Sequence, residues 1–310
     1  MTPGYTRPLY LLPFDHRHSY LSEMFHFTEP LTHDQHATVV ASKQLIYDGF
    51  RAALDGRVSK EHAGILVDEE FGADILQDAR ARGYITALPT ETSGSDEFEF
   101  EYGNVYASHI ETFNPTFAKV LVRDNPEGDA ALNARQAQRL KQLSEYCRGT
   151  DRKLMLELLV PATPAELAAA GGDRARYDAE ARPALMERVI HALQDAGVEP
   201  DVWKIEGLAR REDCLRMVSA ARRDGRDAVG CIVLGRNADR AQVIAWLETA
   251  ASVPGFIGFA VGRTTFWEPV AAFVAGTSTR AAAVALIASR FAEWAATFER
   301  GAAAIGTASA

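Results

Sequence analysis

Asp201-Val202-Trp203-Lys204-Ile205-Glu206-Gly207 reads as a short buried strand with a lysine at its centre. Strand side chains alternate between faces, so Lys204 shares a face with Val202 and Glu206 while Trp203 and Ile205 take the other. If Trp203 and Ile205 pack under a helix, Lys204 and Glu206 face an enclosed interior. A desolvated ammonium gives up its proton more readily, and the free amine is a nucleophile towards a carbonyl. The alternative is a structural ion pair with Glu206 or another acid. Two more apolar runs carry charges. Lys119 lies inside residues 118–122, with Arg123 at the end on the same parity, and Glu157 lies inside residues 154–160. On one interior, two ammonium groups lower the pKa of at least one of them, and a carboxylate holds or relays a proton. That is the chemistry of an amine nucleophile with an acid–base partner, here Glu157 or Glu206.

Other polar residues gather where apolar runs end. The first run delivers Asp15, the second Asp68, Glu69 and Glu70, and the third Glu91. The last two runs end alike, in Val233-Leu234-Gly235-Arg236-Asn237 and Ala260-Val261-Gly262-Arg263-Thr264. Glycine exposes backbone N–H groups and the arginine after it adds charge-assisted donors, which together suit a phosphate or another tetrahedral oxyanion. Asp15-His16-Arg17-His18 offers a His-x-His pair that a metal hydrolase or lyase would use. Such a site also needs histidines where this chain has Glu157 and Lys204, so no metal is assigned. The remaining histidines show no ligand spacing.

These residues need a scaffold that brings strand ends together. Strand-like runs at residues 8–14, 64–67, 84–88, 118–122, 154–160, 202–206, 230–234 and 255–261 alternate with helix-period segments. The helices are expected at 35–54, 73–82, around 132–146, 182–196, 211–223, 240–251 and 280–298. The alternation predicts a closed (β/α)8 barrel filling residues 1–310 as one domain, with function at the carboxyl ends of the strands. An open doubly wound sheet is the alternative, disfavoured because glycine-rich turns lie late in the chain. The acid–aromatic stretch Ser95-Asp96-Glu97-Phe98-Glu99-Phe100-Glu101-Tyr102 reads as a packing or subunit-contact element, and a homo-oligomer is the expected assembly.

The chain has 310 residues, 47% of them hydrophobic, ample for a large core. A net charge of −9 argues against nucleic acid or an anionic membrane as a main partner. Cys147, Cys214 and Cys231 form neither a disulfide framework nor a zinc knuckle. Met1-Thr2-Pro3-Gly4-Tyr5 lacks a basic-then-apolar signal pattern. No run is expected to span a bilayer, the alanine-rich tail carrying Arg290, Glu293 and Glu299. A cytoplasmic location is expected.

Four phrases carry a family resemblance: Leu9-Tyr10-Leu11-Leu12-Pro13-Phe14-Asp15-His16-Arg17, Lys119 through Asp129, Asp201 through Gly207, and Gly258 through Trp267. They resemble the bacterial aldolase-like domain fused behind 5-dehydro-2-deoxygluconokinase in myo-inositol catabolism. More distantly the chain is similar to the class I tagatose-1,6-bisphosphate and sulfofructose-1-phosphate aldolases. The resemblance spans essentially the whole chain. It implies a class I aldolase with Lys204 as Schiff-base lysine, Lys119 as second lysine, Glu157 as acid–base candidate, and Arg263 with the late glycines on phosphate. Gly235, Arg236, Gly262 and Arg263 are thus expected to anchor phosphate, while Arg123, Asp15 and Glu69 are further expected contacts of a phosphosugar substrate. No cofactor is expected. For the inositol pathway the products are dihydroxyacetone phosphate and malonate semialdehyde. Two rivals are a metal-dependent barrel using Asp15, His16, His18 and the second run's acids, and a phosphosugar-binding regulator without turnover. Trp267 has no assigned role.

Overall fold

Eight apolar runs that are buried on both faces form parallel strands, as expected where helices cover a sheet on its outer side. They are β1 (Leu9–Pro13), β2 (Ala63–Leu66), β3 (Ile85–Pro89), β4 (Phe117–Arg123), β5 (Lys153–Leu159), β6 (Val202–Glu206), β7 (Gly230–Leu234) and β8 (Phe256–Ala260). Each pairs with the next and β8 pairs with β1, closing a (β/α)8 barrel. This computed structural model describes residues 3–308; the first two residues of the Met1–Tyr5 stretch lie outside them.

The parity inferred from sequence holds. Leu9, Leu11, Leu66, Ala87, Phe117, Met155, Val202 and Ile232 point inward and fill the amino-terminal half of the barrel, with Tyr5 plugging its base. Trp203, Ile205, Val120, Leu156 and Leu158 point outward, into the layer between barrel and helices. An apolar plug thus forms the floor on which inward polar residues stand at the carboxyl ends.

The described residues contain eleven α-helices: α1 (His33–Leu54), α2 (Glu69–Ala81), α3 (Tyr106–Phe113), α4 (Ala130–Gly149), α5 (Pro164–Ala169), α6 (Arg174–Glu180), α7 (Arg182–Asp195), α8 (Arg211–Ala221), α9 (Arg240–Ala251), α10 (Arg263–Val274) and α11 (Arg280–Ala308). The sequence suggested fewer because α3, α5 and α6 are too short for a periodic signal, and α10 begins inside the glycine–arginine turn. α2 also starts earlier than expected. Asp68 caps it, accepting from the Phe71 N–H at 2.9 Å, so Glu69 falls in its first turn.

The acid–aromatic stretch packs on its own chain. Residues 91 and 100 form an antiparallel bridge, and the Thr92 N–H donates to the Glu99 carbonyl at 2.9 Å. Phe100 stacks on Tyr106 at 4.0 Å, and Glu97 pairs with Arg135 and Arg139 of α4 at 2.8 and 2.5 Å. The expectation of no membrane-length run needs correcting. Arg280–Ala304 is long and apolar enough by length and composition, with a hydropathy of 1.2. Its Ile287, Phe291, Trp294 and Phe298 are buried at helical spacing in the barrel's outer layer.

Candidate active site

Register brings the inward charges together. Glu157 of β5 is paired directly with Lys204 of β6, and Lys119 of β4 lies one layer lower, opposite Met155. The long stem of Lys119 rises from that layer to meet the acids above it. Glu157 Oε2 lies 2.7 Å from Lys204 Nζ and 2.9 Å from Lys119 Nζ, so one carboxylate oxygen joins both ammonium groups. Lys119 Nζ also lies 3.0 Å from Asp15 Oδ2 and 2.5 Å from Glu91 Oε1. Lys119 is 1% exposed, Lys204 3% and Glu157 7%, so these charges interact with little solvent screening.

The protonation pattern follows from this geometry. Burial works against the Lys119 charge, but Asp15, Glu157 and Glu91 hold its pKa well above the usual lysine range. Burial alone would raise Glu157; Lys119 and Lys204 instead hold it below the usual carboxylate range. Asp15 is likewise lowered despite its burial by Lys119 and Lys204. Glu91 goes the other way, since burial aided by the Asp15 charge outweighs Lys119 and Arg17. Burial also lowers His16 to about 4, reinforced by Arg263, Lys204 and Lys43 and opposed by Asp15.

These groups line a cavity of about 410 Å3 at the carboxyl ends of the strands. Its wall includes Asp15, His16, Glu91, Lys119, Arg123, Glu157, Lys204, Gly235, Arg236, Gly262 and Arg263. Arg123 donates to the Ser95 carbonyl at 2.9 Å, and among the described residues no carboxylate lies within ion-pair distance of it. Thr92, Ser93 and Gly94, just before the acid–aromatic stretch, form one side.

Two expected residues stand elsewhere. Glu206 keeps its inward parity at the strand end, but its carboxylate is drawn to Arg236 Nε at 2.8 Å and Arg182 Nη1 at 3.3 Å, and it also accepts from the Val160 N–H at 3.1 Å. It does not line the cavity, which leaves Glu157 as the carboxylate at Lys204. Glu69 is carried off by the first turn of α2 and its Oε1 meets His109 Nδ1 at 2.5 Å. The glycine–arginine pairs also differ from each other. Arg236, with φ of 42°, folds back onto Glu206 and Asp178. Arg263 opens α10 and reaches Glu23 and Ser19.

Glu91 is the residue that sequence noted at a strand end without giving it a role. Its parity, shared with Ala87 and Pro89, was the available signal. A third buried lysine, Lys43 of α1, pairs with Asp68 and donates to the His16 carbonyl at 3.1 Å, fixing the turn after β1. Among the described residues no group of three His, Cys, Asp or Glu side chains is arranged to hold a metal. His16 packs against Phe266 at 5.9 Å, and Asp68 is engaged by Lys43.

The chain is similar to solved structures at low sequence identity. Fructose-bisphosphate aldolase from Plasmodium falciparum, in complex with TRAP and a small-molecule inhibitor, superposes with a TM-score of 0.62 at 10% identity, covering 96% of this chain and 97% of that one. Cgl0159 from Corynebacterium glutamicum gives 0.56 at 17% identity, covering 92% and 85%. At these identities the likeness bears on the fold alone, the closed (β/α)8 barrel. No curated protein matches the sequence. A family model does, over residues 4–301, and the chain therefore belongs to the family described as uncharacterized protein conserved in bacteria (DUF2090).

Proposed function

We propose that the chain is a class I aldolase that cleaves a phosphorylated keto-sugar through a Schiff base on Lys204. The observation that carries the reading is Lys204 Nζ in the cavity at 2.7 Å from Glu157, whose same oxygen is also held by Lys119. Glu157 takes the proton that Lys204 must lose, and the neutral amine adds to the substrate ketone. Glu157 then returns a proton to the carbinolamine oxygen, which leaves as water and gives the iminium. Lys119, bound to three carboxylates, is a fixed cation that orders the acids around it rather than a proton donor.

The iminium withdraws the electron pair of the breaking C–C bond as Glu157, a carboxylate again, takes the proton of the neighbouring hydroxyl, which becomes an aldehyde. That proton then goes to the enamine carbon, and water hydrolyses the iminium to free the ketone product and Lys204. Asp15 and Glu91, on the other side of Lys119, are the carboxylates facing the substrate hydroxyls. Gly235, Gly262 and Arg263 suit phosphate, in the region where barrels of this kind commonly bind it, and Arg123 suits a second anionic group. Remote phosphate binding then holds the ketone over the amine. The substrate we assign, on the family resemblance, is 5-dehydro-2-deoxygluconate 6-phosphate, giving dihydroxyacetone phosphate and malonate semialdehyde.

The test is borohydride reduction in the presence of dihydroxyacetone phosphate, followed by peptide mapping. A reduced adduct on the Lys204 peptide, formed equally with EDTA, is expected. Lys204→Met should remove the adduct and the turnover while the protein keeps its unfolding transition. Unchanged turnover in Lys204→Met, or an adduct on another lysine, sinks the assignment.

A further inference from the structure

Trp267 and Glu23 stand outside the machinery assigned above, yet both touch Arg263. The Arg263 guanidinium lies 4.6 Å from the centroid of the Trp267 ring, its Nη1 2.8 Å from Glu23 Oε2 and its Nη2 2.5 Å from Ser19 Oγ. Trp267 is four residues further along α10, so arginine and indole share one helix face and the stack is built into that helix. The ring is itself packed, edge-on to Tyr20 at 6.0 Å.

Glu23 is held differently. It sits on a single π-helical turn, Tyr20–Phe25, with its side chain 55% exposed, against 15% for Arg263. A pair with so exposed a partner contributes little and opens readily. The carboxylate and the Ser19 hydroxyl occupy the two guanidinium N–H positions that two oxygens of a bound anion would use. Arg263 and Glu23 also line both the 410 Å3 cavity and a neighbouring one of about 450 Å3, whose wall contains Trp267.

We propose that Trp267 is a positioning residue for anion recognition, and that Glu23 is an exchangeable counter-ion which a phosphate group displaces from Arg263. Trp267 keeps the guanidinium seated while Glu23 leaves. The proposal rests on the reading of Arg263 as a phosphate anchor, and it gives the two side chains opposite effects. Removing the Glu23 charge removes a competitor, whereas removing the indole removes the platform.

The experiment is calorimetric titration of the full chain with inorganic phosphate at low salt. Glu23→Gln should tighten binding by about two- to fivefold, the worth of an exposed ion pair. Trp267→Ala should weaken it by about five- to tenfold, and Trp267→Phe should restore most of the loss, since an aromatic face is what the cation needs. Glu23→Gln binding unchanged or weaker, or Trp267→Ala binding like the parent, overturns the proposal. Glu23 is exposed, so its variant tests the idea even if Trp267→Ala folds poorly. Borohydride trapping keeps this question apart from the aldolase reading. Both variants should shift the concentration of dihydroxyacetone phosphate needed for half-maximal trapping, and leave that of unphosphorylated dihydroxyacetone unchanged. No Lys204 adduct in the parent protein would sink the aldolase reading, leaving the phosphate titrations to decide the role of Glu23 and Trp267.

Discussion

The two lysines in the cavity differ in what surrounds them. Among the described residues Lys119 has a carboxylate for each of its three N–H groups, whereas Lys204 has one, and it shares that oxygen with Lys119. Lys119 is thus a cation held on three sides, whereas Lys204 is held on one. His16 adds a titration that stability can report. Burial keeps its folded pKa near 4, against 6.5 for a free histidine. As pH falls through that window the unfolded chain takes up a proton that the folded chain refuses. Stability from this group is therefore full above about pH 6.5 and lost as pH drops towards 4, on the order of 3 kcal/mol in all. His16→Phe keeps a flat ring against Phe266 and removes the titration. The fall in melting temperature between pH 7.5 and pH 5 should be clearly smaller in His16→Phe than in the parent. Equal falls would mean that His16 is not held neutral.

At the scale of elements, the junction of β1 with α10 sets the cavity's rim. A Cβ on Gly262 would sit 2.3 Å from the Pro13 carbonyl oxygen, too close for either backbone to stay in place. The nearest atom to a Cβ on Gly235 would be Val261 Cγ1, at 3.2 Å. Gly262→Ala should therefore push α10 off β1 and weaken phosphate binding tenfold or more, while Gly235→Ala does so mildly. Titration of both variants with inorganic phosphate checks the ranking, and equal losses would contradict it. The barrel and the Lys119–Glu157–Lys204 set were legible because strand parity is local: a charge in an apolar strand needs only its neighbours to be placed. Glu206 was misplaced because Arg182, which draws it aside, comes from α7 more than twenty residues away. Glu69 was misplaced because one cap at Asp68 decides where α2 begins, and Lys43 lay hidden because its partner Asp68 is on another element. Such pairings depend on tertiary position, which periodicity does not encode.

For the whole molecule, closure depends on the last helix. α11 packs along α1, α9 and α10, and its Phe291 reaches from Phe50 of α1, at 5.6 Å, to Phe259 of β8, at 5.9 Å. β8 in turn pairs with β1, so this one ring links the beginning of the barrel to its end. The buried stripe of α11 serves this seam, which accounts for its apolar length without a bilayer. Truncating a fully buried phenylalanine costs about 3–5 kcal/mol when the site cannot collapse, and the barrel strands on one side leave it little room to do so. Phe291→Ala should thus lower the melting temperature by several degrees. Leu286→Ala, on the exposed face of the same helix, should change it by no more than about a degree. Because the seam joins α1, α11 and β8, loss at Phe291 should also appear as faster amide exchange in both β1 and β8, the two strands it closes. Exchange confined to α11 would show that the helix frays alone and that the barrel closes without it.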